Sequence, residues 1–254
     1  MRIAAVCRLA LAGALLAGSA SAADPVAVPS RCSAPEELAG ADEVLPHAAA
    51  AIKPGAVLNV LVVGSAPLFG RSPPALAVQG IEAFPWRMAE AIEAAVPGAQ
   101  VKLTIRGGPG STASEMSTII RDELTAKPYE LVLWQTGTVE AVKNLPPGDF
   151  TQALIDGADA AAEHGADVLL VDPQYSRFLK AHADVEPYEL ALEQVAAMPG
   201  VVLLRRFDLM RHWAETGQID LERVSEAQRG PTLDLLHSCL GAYLARLVLA
   251  GTRS

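Results

Sequence analysis

Asp234 and His237, three apart in the segment LDLLH, are the residues whose types and spacing most directly suggest chemistry. A carboxylate that fixes the tautomer of an imidazole and holds it towards a nucleophile makes up two thirds of a hydrolytic triad. The pair needs a hydroxyl opposite it, and Ser65 follows directly on an apolar run of strand length in Val57 to Gly70, VLNVLVVGSAPLFG. Amide donors for an oxyanion are available in the turn Arg106-Gly107-Gly108-Pro109-Gly110. Each residue also has a plain structural reading. An Asp-x-x-His can be a hydrogen-bonded pair near a helix start, and a serine after a strand can be a turn hydroxyl bonded to nearby backbone.

These residues depend on an ordered set of elements. Val57 to Val63, Val101 to Ile105, Glu130 to Gln135, Ala166 to Val171 and Val201 to Leu204 are apolar runs of strand length. Between them lie stretches of helical periodicity: Ile81 to Val96, Ser111 or Thr112 to about Ala126, Asp149 to Glu163 and Val185 to Ala197. Thr112 with Glu115 has the spacing of a capping box. Helix continues over Phe207 to Thr216 and Thr232 to Ala250. Regular alternation of strand and helix predicts an α/β protein, a three-layer α/β/α sandwich around a five-stranded parallel sheet of flavodoxin-like order. In such a sheet ligands sit beyond the carboxyl ends of the strands, which is where Ser65 and the glycine-rich turn fall.

In these blocks the sequence resembles the SGNH (GDSL-type) hydrolase family, from about Val57 to Ala250. That family carries a nucleophilic serine in Gly-Asp-Ser-x-x-x-Gly, a glycine after the second strand, an asparagine in Gly-x-Asn after the third, and a late Asp-x-x-His. Here the spacing is kept better than the residues. Aligning both glycines of the first block, Gly64 and Gly70, puts Ser65 at the family's aspartate and Ala66 at its nucleophile. Gly110 is the best match to the oxyanion glycine, Val139 stands at the asparagine, and Asp234 with His237 is intact. Asp172-Pro173-Gln174-Tyr175 and Arg206-Phe207-Asp208-Leu209-Met210 also resemble segments of exported bacterial members.

The resemblance implies a serine ester hydrolase acting on acyl or acetyl esters of lipids or envelope carbohydrates, with a small-molecule or glycan ester as substrate or ligand. The departures oppose catalysis. In another hydrolase, loss of the triad serine costs about a millionfold in turnover, and one side-chain oxyanion donor is worth roughly a hundred- to a thousandfold. Ala66 can neither attack nor donate a proton, and Val139 offers no hydrogen bond. The expectation is therefore a degenerate relative with weakened or lost catalysis. The alternative is an active esterase in which a shifted turn brings Ser65 to His237, oriented by Asp234. Adjacent side chains at a strand end face opposite ways, so this requires backbone rearrangement.

Composition limits the remaining classes. Arg2 and Arg8 precede the apolar run Leu9 to Ala17, and Ala20-Ser21-Ala22 has the small residues a signal peptidase reads. Cleavage is expected after Ala22, with export to the periplasm or the exterior, leaving a lead-in over 23–55 and one domain over 56–254. Removing two of 20 basic residues against 29 acidic ones gives a mature charge of about −11. This acidity, without a Lys/Arg cluster, disfavours nucleic acid. No segment after the signal approaches the roughly 20 uninterrupted apolar residues of a membrane span. Scattered histidines without ligand spacing suggest no metal, and the glycine turn lacks the pattern of a phosphate loop, so no cofactor is expected. Of three cysteines, Cys7 leaves with the signal. Cys32 and Cys239 then either bridge the ends of the domain or leave Cys239 as a buried apolar residue.

Overall fold

The computed structural model describes residues 26–40, 44–65 and 82–253. The expected signal sequence lies outside the described residues, as do Ala66 to Gly70 of the first motif. The sheet consists of β1 (Val57–Gly64), β2 (Gln100–Gly107), β3 (Leu131–Gln135), β4 (Asp167–Val171) and β5 (Val201–Leu204). All neighbours are parallel and the order is β2-β1-β3-β4-β5, the expected flavodoxin-like arrangement. The chain steps from β1 to β2 on one side and to β3 on the other, so the crevice between the carboxyl ends of β1 and β3 is the topological switch point.

Alternating side chains divide the interior in two. Leu58, Val60 and Val62 of β1 face one core with Leu131, Leu133, Leu169 and Val171, whereas Leu61 and Val63 face the other with Val132, Trp134, Val168 and Leu170. Burial on both faces explains why the strands read as continuous apolar runs. The first core is covered by α1 (Glu36–Ala39), α2 (Pro46–Ala51), α3 (Phe84–Ala95) and, later in the chain, α9 (Arg206–Glu215) and α10 (Glu226–Ala250). The second is covered by α4 (Ala113–Ala126), α6 (Pro147–Glu163) and α8 (Glu186–Ala196). Two short helices, α5 (Thr138–Lys143) and α7 (Arg177–His182), are additions to the sequence reading. Each is only six residues long, too short to show a helical period.

Several boundaries differ from expectation for identifiable reasons. Within the lead-in, the helical residues fall in two pieces, α1 and α2, the first ending at an extended Gly40. The lead-in contributes to the interior: Cys32, Leu45 and Ala48 are fully buried in the first core. Helix α10 starts six residues before the expected Thr232 and holds Pro231 at its sixth position. By length and composition it could cross a membrane, yet 67% of its most apolar window is buried inside the fold, which is the behaviour of a core helix. The Thr112 cap and its capping box with Glu115 form as read.

Two close approaches fix the parts around the site. At the end of β2, Gly107 (φ +96°) lies against Gly64; a Cβ there would come within 2.4 Å of the Gly64 carbonyl oxygen. Only glycine combines that φ with that contact. At Gly241 of α10, a Cβ would sit 2.4 Å from Cβ of Arg87 on α3, so the two helices press together through a missing side chain. Cys239, two residues before Gly241, bridges to Cys32 with a Cα–Cα separation of 5.8 Å across 207 residues. Around it, Trp213 Nε1 and the Tyr243 hydroxyl both donate to the Cys32 carbonyl oxygen, at 3.2 and 2.8 Å.

Reduction, or Cys32→Ser with Cys239→Ser, removes a cross-link closing nearly the whole chain and lowers unfolding free energy by about 2–5 kcal/mol. Urea titrations of the oxidised and reduced protein measure it. Gly241→Ala forces α3 and α10 apart and costs about 1–3 kcal/mol as an overpacking change; thermal melts beside the parent check this, and an unchanged Tm refutes the close approach.

Candidate active site

Helix α10 presents Asp234, His237 and Gly241 at i, i+3 and i+7, one stripe of an α-helix. Because Gly241 lets α3 come close, that stripe faces the first turn of α3. The consequence differs from the Asp234–His237 pairing read from the sequence. His237 is buried at 5% exposure, and its Nδ1 accepts a hydrogen bond from the backbone N–H of Phe84 at 3.2 Å. Its ring lies nearly parallel to that of Phe84, with centroids 6.0 Å apart. The Asp234 carboxylate turns instead to Arg87, whose Nη2 donates to Oδ1 at 2.7 Å. Among the described residues, no hydrogen bond joins Asp234 to His237 or Ser65 to His237. The expected orientation of His237 by Asp234 is thus not formed, because Arg87 outcompetes the imidazole for the carboxylate.

The Phe84 contact has a local cause. Phe84 opens α3, the preceding Ala83 has no side chain to cap it, and Pro85 contributes no N–H. A helix start leaves its first amides without intrahelical partners. His237 takes up one of them, doing across the fold what a serine or asparagine cap does locally. The reverse ring orientation would set a ring C–H against the Phe84 N–H, so Nδ1 is the acceptor and the neutral ring carries its proton on Nε2. Burial depresses the imidazole to about 4, with the nearby Arg206 charge and Arg87 acting in the same direction and Asp234 in the opposite one. A triad histidine needs the other tautomer, with Nδ1–H donating to the aspartate and Nε2 free to take the serine proton.

Among the described residues, no hydrogen bond joins the other sequence-selected residues to His237. Ser65 follows β1 and is buried at 9% exposure, next to Gly64, which pairs with Gly107 on one side and Gln135 on the other. Ala66 is outside the described residues. Gly110 (φ +80°) is exposed in the turn beyond β2, its carbonyl 3.5 Å from Lys143 Nζ. Gly107, rather than Gly110, is the glycine held against the end of β1. Val139 is half-buried at the start of α5, where the neighbouring Glu140 accepts from the Ala113 and Gly137 amides and ties α5 to the first turn of α4. Thr136 and Thr138 leave buried hydroxyls without partners among the described residues. No group of three or more His, Cys, Asp or Glu among the described residues is placed to hold a metal ion.

Sequence reasoning missed Arg206. It opens α9 directly after β5, is buried at 3% exposure, and donates from Nη2 to the Asp172 carbonyl oxygen at 2.6 Å. The Asp172 carboxylate in turn accepts from the Phe207 N–H at 2.8 Å. Burial lowers the guanidinium to about 10, with Asp172 opposing that shift, and burial drives the Asp172 carboxyl well above its usual range. The segments around Asp172 and Arg206 therefore meet just beyond the carboxyl ends of β4 and β5. Arginine at a strand end reads as surface by default; its position directly after β5 was the one available signal.

Arg206 and His237 both line a cavity of about 590 Å³ between α9, α10 and the Gln174 to Ser176 segment. Its body is apolar, with Met210, Trp213, Leu233, Leu236 and Leu240 in the wall. Asp220 and Glu222 also border it, but both are engaged by Arg177, Asp220 through two bonds of 2.8 and 3.0 Å and Glu222 at 3.1 Å. The volume lies in the range of small-molecule sites.

Solved structures resemble this fold at low identity. A catalytic-mutant form of Axe2, an acetylxylan esterase from Geobacillus stearothermophilus, is 13% identical with a TM-score of 0.57, over 78% of this chain and 96% of that one. TesA is 20% identical with a TM-score of 0.47, over 70% and 94% of the two chains. The psychrotrophic esterase EstA from Pseudoalteromonas sp. is 14% identical with a TM-score of 0.40, over 57% and 76%. At such identity the likeness to Axe2 concerns architecture, a five-stranded parallel sheet in the order 2-1-3-4-5 flanked by helices, as in SGNH hydrolases. No curated protein matches the sequence. A family model does match, over residues 31–254, and with the SGNH-type sheet already described, the chain belongs to the non-GDSL lipase-like family.

Proposed function

We propose that this lipase/esterase-like protein is a catalytically silent member of the ester hydrolase lineage, whose cleft holds a ligand instead of cleaving an ester. The observation that carries the reading is the Phe84 N–H donated to His237 Nδ1. It fixes the tautomer opposite to the one a serine needs, and in a serine protease a wrong tautomer alone lowers turnover about 10⁴-fold. Ala66 and Val139 remove the nucleophile and the asparagine donor that the family pattern supplies, and Arg87 holds Asp234. Ser65, Gly110, Asp234 and His237 then have structural roles. The lineage acts on acyl or acetyl esters of lipid or envelope carbohydrate, and those are the chemistries from which a retained ligand would come. Export to the periplasm or exterior belongs to the same proposal, supported by the signal-like first 22 residues and by a disulfide that persists in an oxidising compartment.

Hydrolysis of p-nitrophenyl acetate, butyrate and octanoate by the pure protein tests the reading. Rates at the level of the buffer blank, unchanged in Ser65→Ala and His237→Ala, are expected. Turnover that both substitutions abolish overturns it in favour of Ser65 as nucleophile.

The imidazole gives a second test. A histidine whose folded pKa is about 4 against 6.5 in the unfolded chain is refused a proton by the fold. Its contribution to stability is complete above about pH 6.5 and falls as pH drops, by up to about 3 kcal/mol at pH 4. Nitrogen-15 spectra of the His237 ring should show a neutral Nε2–H form throughout pH 5–8 (about three units of range). Protonation near the ordinary histidine value contradicts the capping role.

A further inference from the structure

We propose that the cavity beside His237 is a binding site for an amphiphilic organic carboxylate, an acyl chain lying along the α9 and α10 walls with its head group on the Arg206 guanidinium. Arg206 is the buried cation on the wall of this cavity. It is 97% removed from solvent by its 3% exposure, its hydrogen bond among the described residues is the one from Nη2 to the Asp172 carbonyl, and its buried Nε–H has no partner there. Leaving a buried guanidinium donor unsatisfied costs about 1–3 kcal/mol or more, so the position calls for an acceptor that the described residues do not supply.

The neighbouring acids are committed elsewhere. Asp220 and Glu222 are held by Arg177, and Asp234 is held by Arg87. Asp172 acts on Arg206 through its charge, yet the hydrogen bond it accepts from that guanidinium is at its backbone carbonyl, and its side chain accepts from the Phe207 amide. With Arg206 charged at neutral pH and His237 neutral, the buried wall presents a planar cation whose fork geometry matches a carboxylate, and the exposed Arg229 adds a second positive charge to the lining. Beside it, Met210, Trp213, Leu236 and Leu240 offer an apolar surface for a chain. An uncharged ester or a sugar would leave the guanidinium unanswered, and a small inorganic anion would leave the apolar wall unfilled. A carboxylate on an alkyl chain answers both.

The inference rests on the reading that the cleft holds rather than cleaves, but its test is separate from ester turnover. Octanoate, 1-octanol and acetate, all below micellar concentrations, are titrated into the full mature protein by calorimetry, with octanoate repeated on Arg206→Gln. The expected result is saturable octanoate binding, at least tenfold tighter than octanol, no saturation with acetate, and a loss of at least tenfold in Arg206→Gln with octanol affinity unchanged. Equal affinities for octanoate and octanol overturn the proposal, as do absent octanoate binding and undiminished binding in a folded Arg206→Gln. If near-ultraviolet circular dichroism shows that variant to be unfolded, the octanoate-to-octanol ratio of the parent decides alone. Octanoate binding combined with hydrolysis of the octanoate ester would keep this site and refute catalytic silence; failure of both would leave silence standing and remove the site.

Discussion

The close approach of α10 to α3 at Gly241 is the constraint on which the site depends. A helix places residues i, i+3 or i+4, and i+7 along one stripe, so wherever Gly241 is pressed, His237 and Asp234 must face the same neighbour. That neighbour is the start of α3, a place with amide donors short of acceptors and a guanidinium within reach. An imidazole and a carboxylate that elsewhere could serve a nucleophile are here drawn to the nearest helix start and the nearest cation. The disulfide from Cys239, on the same helix, holds the amino-terminal lead-in to this core and restrains α10 further.

The histidine's electrostatics are consistent with that placement. A buried imidazole accepting an amide proton gains nothing from becoming charged, since protonation would lose the hydrogen bond and add a cation beside Arg206 and Arg87. The positive end of α3 opposes an imidazolium as well. Catalytic histidines are tuned towards the working pH so that they can both take and return a proton. This one is tuned away from it, which is what a fixed hydrogen-bond acceptor requires.

The fold was legible in the sequence to the extent that period and punctuation determine it. Strands buried on two faces appear as unbroken runs such as LVVG and LVLW, and the glycines and prolines between them mark the turns. The short helices α5 and α7 were illegible because six residues hold less than two turns of pattern. Of the candidate site, Asp234 and His237 were picked as a mutually bonded pair, and their actual partners, Arg87 and the Phe84 amide, were not readable. Which group a side chain meets is decided by packing between α3 and α10, elements about 150 residues apart in sequence. Arg206 was missed for a related reason: its type favours the surface, and its burial is set by packing just after β5, where it meets the Asp172 carbonyl that follows β4.

Loss and gain at this edge are connected. An esterase cleft must accept an uncharged ester and stabilise charge only as it develops, so a standing buried cation beside the imidazole would depress the general base and favour the acid product over the ester. Arg206 lies on the cavity wall that His237 also lines, and its charge is among the causes of the lowered imidazole pKa. The guanidinium therefore works against proton abstraction at His237 and for retention of a carboxylate in the same space. An alanine at the nucleophile position removes little from a cleft arranged in that way, because the charge distribution around it already favours holding an anion over making one.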